Sequence, residues 1–244
     1  MPSARITAPP KRDTYRRQTH RPLNCLAFIL PMLLVFQFAA ALYGTSLLAP
    51  RDLGRLLKHF GATAAYLPPL LIVLVLLVQH LFRRDRWKVQ PQVLAGMCGE
   101  SVGWTLPLIG LSYMTGRLIA QQAASGPAGE TLFQQVALAL GAGIYEEFIF
   151  RLLLISLAML LLVDVFDLPE TPVAVGVVII SAVLFSMYHF AGSQFAGAVS
   201  FPWAEFVFRC MAGAYLGWLY VFRGFGIAVG VHAFFDIYVV LRQM

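Results

Sequence analysis

Glu146-Glu147-Phe148-Ile149-Phe150-Arg151 places three ionisable residues inside an apolar run. Val136-Ala137-Leu138-Ala139-Leu140 precedes it and Leu152-Leu153-Leu154-Ile155 follows it. A run of this length and hydropathy reads as a membrane helix. A charge at mid-bilayer costs at least about 2.5 kcal/mol, so such groups persist where they face a protein interior or a watery cavity. Two further polar spots stand in later apolar runs, Phe185-Ser186-Met187-Tyr188-His189 and His232-Ala233-Phe234-Phe235-Asp236. Together the three spots point to buried proton chemistry in a membrane.

The composition agrees. Of 244 residues, 59% are apolar and only 12% charged, about half the charged share of a soluble domain. Mean hydropathy is +0.74. Such a chain cannot cover a water-facing surface, and the reading is an all-α polytopic transmembrane helical bundle. Apolar runs at 23–48, 61–82, 93–115, 132–163, 173–195, 203–222 and 225–241 give about seven spans, within a range of six to eight. Residues 1–22 read as a basic disordered cytoplasmic tail, 23–115 as N-terminal membrane helices and 130–241 as a membrane core that carries the three polar spots. The first run is longer than a signal-peptide core of about 7–15 residues.

The net charge of +6 collects in the tail and loops, where it reports topology and not nucleic-acid binding. With the N-terminus inside, eleven Lys and Arg lie on the cytoplasmic side. They are Arg5, Lys11, Arg12, Arg16, Arg17, Arg21, Arg83, Arg84, Arg86, Lys88 and Arg223. Five lie opposite: Arg51, Arg55, Lys58, Arg117 and Arg242. An integral protein of the cell membrane, N-terminus cytoplasmic, is the expectation. Cys25, Cys98 and Cys210 form no CxxC pair and read as small buried residues, not as a disulfide or a metal site.

Residues four apart share a helix face, so Glu147 and Arg151 are expected to pair. Glu146 is rotated about 100° away, clear of Arg151 and suited to act as a general base on water. The competing reading is that both glutamates only bind neighbouring helices. His232 and Asp236 also share a face, where the carboxylate orients the imidazole or simply packs. Glu205 and Arg209 read as a structural pair at a helix interface or as cavity lining, and Glu100 as an interhelical hydrogen bonder. His20 and His59 read as solvated, and His80 as sitting at a membrane edge. Trp87, Trp104 and Trp203 read as interfacial anchors. The run 132–163 would measure about 48 Å as a straight helix, against about 30 Å of hydrocarbon. Gly141 and Gly143 are candidate bend points. The span carrying His189 is left open through Ala191–Ser200.

The three boxes resemble the CPBP family of intramembrane proteases, the CAAX prenyl protease 2 and bacteriocin-processing (Abi) group. Its EExxxR, FxxxH and HxxxN/D boxes correspond to Glu146-Glu147-xxx-Arg151, Phe185-xxx-His189 and His232-xxx-Asp236. The resemblance covers roughly 130–241. It implies an intramembrane endopeptidase acting on a membrane-associated or prenylated peptide, with the bilayer and that substrate as partners and no nucleic acid. It implies that Glu146 and His189 activate water and that His232 and Asp236 stabilise the oxyanion or leaving group. Glu147 and Arg151 would hold the site together, beside Phe185. Asp236 stands where CAAX-processing members usually have Asn, and an ionised Asp donates no hydrogen bond. Hydrolysis without a tightly held metal is the expectation. A divalent ion such as Zn on Glu146, His189 and His232 is the alternative, in a chain lacking an HExxH helix. A proton-coupled transporter, or a non-catalytic immunity or scaffold protein, are the rival readings. No inverted repeat supports the former, and the catalytic positions are filled, with Asp for Asn at 236.

Overall fold

Each of the seven apolar runs contains a helix in the computed structural model, which describes residues 14–44, 50, 52–54, 67–115, 131–190 and 201–242. The elements are α1 (Tyr15–Thr19), α2 (Pro22–Tyr43), α3 (Leu67–Arg83), α4 (Pro91–Met114), α5 (Leu132–Val165), α6 (Glu170–Tyr188), α7 (Trp203–Arg223) and α8 (Phe225–Arg242). Among the described residues there is no strand. Four of these helices, α2, α5, α6 and α8, are long and apolar enough to cross a membrane. Helix α3 is apolar but has 17 residues, while α4 and α7 carry the polar residues Glu100, Glu205 and Arg209.

Outward-facing Leu34, Phe38, Leu70, Leu74, Ile179 and Ile180 are exposed, as a lipid-facing surface requires. Lipid removes the hydrophobic drive between helices, so their association rests on close packing and polar contacts. Helix α8 is the centre of the bundle. It packs chiefly on the first half of α5 and on α4, and every residue from Phe225 to Ala233 is buried. One core cluster joins Ile29, Leu33, Ile72, Ile144, Phe148 and Val229. A second joins Met97, Leu108, Leu216, Ile227, Val231 and Phe235 on its other side.

Two expectations are corrected, on the tail and on Cys98. Of the expected disordered tail, residues 1–13 lie outside the described residues, but Tyr15–Thr19 is helical and Thr19 is fully buried. Asn24 Nδ2 donates to the Gln18 carbonyl at 2.9 Å and Cys25 Sγ to the Thr19 carbonyl at 3.2 Å. These bonds tie the segment to α2. Trp104 lies within α4, where its Nε1 donates to Glu100 Oε1 at 3.0 Å. Cys98 is exposed while Cys25 is buried. The continuation through Ala191–Ser200 lies outside the described residues, as do His59, Arg51, Arg55, Lys58 and Arg117.

Other polar expectations find partners. Glu100 also accepts from Tyr15 Oη at 2.8 Å and from Arg223 Nη2 at 2.8 Å. Arg16 donates to the Phe222 carbonyl, Arg83 to that of His20, and both Arg21 and Arg83 reach Asp85. Basic residues of the tail, of the 83–90 loop and at 223 therefore gather at one end of the bundle. His20 is half-buried there, beside the Phe222 carbonyl. His80 is buried against Trp87, with ring centroids 4.4 Å apart.

Gly143 is a contact point between helices. A Cβ there would stand 2.8 Å from the backbone nitrogen of Ala233 and 2.9 Å from its Cβ. Gly143→Ala is therefore expected to lower stability by about 1–3 kcal/mol through overpacking, despite the helix propensity it gains. Gly103→Ala, with nothing within 4 Å of its Cβ, is expected to be neutral or stabilising. Thermal unfolding of both variants in detergent checks the pair.

Candidate active site

Helix α5 opens with a capping box. Gln134 N donates to Thr131 Oγ1 at 3.3 Å, and Thr131 N to Gln134 Oε1 at 2.7 Å. The helix is regular to Glu147 and then passes into a π-helical stretch, Phe148–Ile155. Such wider turns are rare and cluster at functional sites. The Phe150 carbonyl in this stretch accepts a hydrogen bond from Ser181 Oγ of α6 at 2.7 Å. The change of winding begins immediately after the paired glutamates.

Glu147 and Arg151 are both fully buried, with Arg151 Nη1 3.0 Å from Glu147 Oε1. The expected pair is present. Arg151 also donates through Nη2 to the Gly213 carbonyl of α7 at 3.1 Å. Its guanidinium lies 4.5 Å from the centroid of the Phe185 ring. Glu147 has a second partner, His232 Nδ1 of α8, at 2.8 Å from the same oxygen. One carboxylate thus holds an arginine from its own helix and a histidine from the central helix.

Glu146 points elsewhere, as its rotation predicts. Its Oε2 lies 3.5 Å from His189 Nε2 and 3.8 Å from His232 Nε2. His232 Nε2 is also 3.5 Å from Asp236 Oδ2. His189 is the C-cap of α6, and its Nδ1 lies 2.8 Å from the Phe185 carbonyl. A carbonyl only accepts, so Nδ1 of His189 carries a hydrogen. Glu147, paired with an arginine, likewise accepts from Nδ1 of His232. Both imidazoles are therefore fixed as tautomers that turn Nε2 toward Glu146. The ring of Phe185 sits edge-on to both, 4.9 Å from His189 and 6.0 Å from His232. The Phe185-xxx-His189 spacing thus supplies an orienting carbonyl and an aromatic wall.

All seven predicted site residues, Glu146, Glu147, Arg151, Phe185, His189, His232 and Asp236, meet in one cluster. Glu205 and Arg209 pair at 3.7 Å on α7, with Arg209 over the Phe190 ring at 5.3 Å. Glu100 lies apart, at the end of the bundle that carries Tyr15 and Arg223. The Gly213 carbonyl is a site component that sequence reasoning missed, because a main-chain acceptor leaves no mark in the sequence. The fixed tautomers are also those of metal-bound histidines. Among the described residues, however, no group of three His, Cys, Asp or Glu is arranged to hold a metal ion.

Buried helices thus enclose an acid–histidine cluster. Residues 128–238 match the family described as type II CAAX prenyl endopeptidase Rce1-like. Over that stretch the chain is similar to that family, and with its apolar helices it is an integral membrane protein. No curated protein and no solved structure matches the chain.

Removing one member of a buried ion pair strands the other, at about 3–5 kcal/mol. Arg151→Met is expected to destabilise by that amount. Arg151→Met/Glu147→Gln is expected to recover part of the loss, because no bare charge then remains. Thermal unfolding of the three proteins in one detergent measures the difference.

Proposed function

We propose that this protein is an intramembrane endopeptidase that hydrolyses a peptide bond of a membrane-associated or prenylated protein, using water activated by Glu146 with His189. The observation that carries this reading is the convergence of two oriented Nε2 atoms on one oxygen of Glu146. Glu146 takes a proton from water as the hydroxyl oxygen bonds to the carbonyl carbon. The carbonyl electrons move to oxygen, and the resulting oxyanion is held by His232, protonated at Nε2. Glu146 and His189 pass the proton to the leaving nitrogen, the C–N bond breaks, and a carboxylic acid and an amine depart. No step passes through a metal.

Glu147 and Arg151 position His232 and contribute no proton. Asp236 supports the charge on His232. The basic end of the bundle, with the N-terminus, lies on the cytoplasmic face of the cell membrane in this proposal, following the excess of Lys and Arg there.

A positioned general base contributes about 10²–10⁴-fold. Glu146→Gln and His189→Ala are each expected to reduce cleavage of membrane-anchored peptides by about that factor, while folding is retained. Cleavage unchanged in both variants would overturn the assignment. Chelator added to the wild-type protein is expected to leave cleavage intact, and abolished cleavage restored by Zn would show a metal to be required. Asp236→Asn is expected to keep activity within about tenfold and Asp236→Leu to lose about a hundredfold or more. Initial rates with a single peptide check both.

A further inference from the structure

At the end of the bundle that carries α1, a cavity of about 510 Å³ opens between α3, the second half of α5, α6 and the start of α8. Its volume is that of a small-molecule pocket, about 300–1,000 Å³. None of its lining residues belongs to the catalytic cluster. Its wall follows one face of α5 through Leu152, Ile155, Met159 and Leu160 to Asp164. A regular helix would rise about 18 Å from Leu152 to Asp164, and the wider winding of this stretch shortens that toward the depth of one leaflet of a hydrocarbon core about 30 Å thick. Leu76 of α3 and Phe225 of α8 close the apolar part.

The polar residues divide by sign. Arg83 of α3 is the cation of the lining, against Asp164 at the end of α5 and Glu170 at the start of α6. Arg83 lends Nη1 to the His20 carbonyl and Nε to Asp85, and its side chain is half exposed. Asp164 and Glu170 are exposed. An acyl chain along α5 would meet Leu152, Ile155, Met159 and Leu160, with the one hydroxyl on that wall, Ser156, bonded to Tyr220 Oη at 2.5 Å. A headgroup at the opening would meet a cationic side and an anionic one. A purely anionic headgroup satisfies the first and is repelled by the second. A headgroup joining a phosphate to an ammonium satisfies both, and a primary ammonium also donates hydrogen bonds to the carboxylates, which a quaternary one cannot.

We propose that this cavity is a binding site for a phosphoethanolamine lipid, with one acyl chain along Leu152–Leu160, its phosphate toward Arg83 and its ammonium toward Asp164 and Glu170. The site is separate from the hydrolytic centre, and its occupancy does not depend on peptide cleavage.

The test is native mass spectrometry of the full chain in detergent, titrated with phosphatidylethanolamine, phosphatidylglycerol and phosphatidylcholine of identical acyl chains. Exposed ion pairs of about 0.2–1 kcal/mol correspond to a preference of about 1.4- to fivefold. Adducts of phosphatidylethanolamine are therefore expected to exceed those of the other two by that factor. Asp164→Asn/Glu170→Gln is expected to keep lipid binding and lose the preference. Ala174→Trp, which fills the cavity from α6, is expected to lose all three adducts equally. Equal binding of the three lipids by the wild-type protein would overturn the proposal, as would a preference that survives the double substitution. Undiminished adducts in Ala174→Trp would do the same. The double variant changes only exposed side chains, so it reads the headgroup even where Ala174→Trp fails to fold.

Discussion

One oxygen of Glu147 organises the interior. It meets Arg151 at 3.0 Å and His232 at 2.8 Å, with both charged partners of the pair sealed from solvent. In a low-dielectric interior an unpaired charge is prohibitive, and a paired one tolerates little displacement. The pairing therefore fixes how far α8 can slide or turn against α5. It also fixes α7, whose Gly213 carbonyl accepts from Arg151. Because Glu147 absorbs the arginine, Glu146 is left to face the two histidines.

Packing supplies what charge pairing cannot. The backbone of α8 approaches α5 at Gly143 so closely that no side chain fits between them. That approach brings His232 within reach of both glutamates. Gly213 does the same for α7 against α6, where a Cβ would stand 3.1 Å from Ala182 Cα. The seam beside the acid–histidine cluster is thus lined by residues with little or no side chain, as membrane helices without a hydrophobic drive require.

Much of this was legible in the chain. The all-helical class followed from apolar runs, and the Glu147–Arg151 pair from a spacing of four. The separate direction of Glu146 followed from a rotation of one residue. Each of these is local, and helix periodicity encodes it. The contact of His232 Nδ1 with Glu147 was not legible, since periodicity tells which face a residue occupies and not which helix lies opposite. Gly143 read as a bend point because a glycine's sequence context does not separate flexibility from close approach. The tail residues Tyr15–Thr19 read as disordered from their polarity. Their order comes from tertiary bonds to α2 and Glu100, which composition does not report. The π-helical stretch carried no local signal either, for Phe148–Ile155 is as apolar as any regular span.

That stretch has a consequence for how the protein tolerates length changes. Its turns close over five residues where a regular helix closes over four, so each wide turn stores a spare residue between the glutamates and the second half of α5. Loss of one residue within Phe148–Ile155 could be absorbed by rewinding to a regular helix. The half of α5 beyond the change would then keep its present rotation, where the same loss in a regular helix would turn it by about 100°. The glutamates at 146 and 147 and the face beyond the change would both keep their neighbours, at the cost of the wide turns. A single helix is in this way divided into an acid-bearing half and an apolar half whose relative rotation is set by winding.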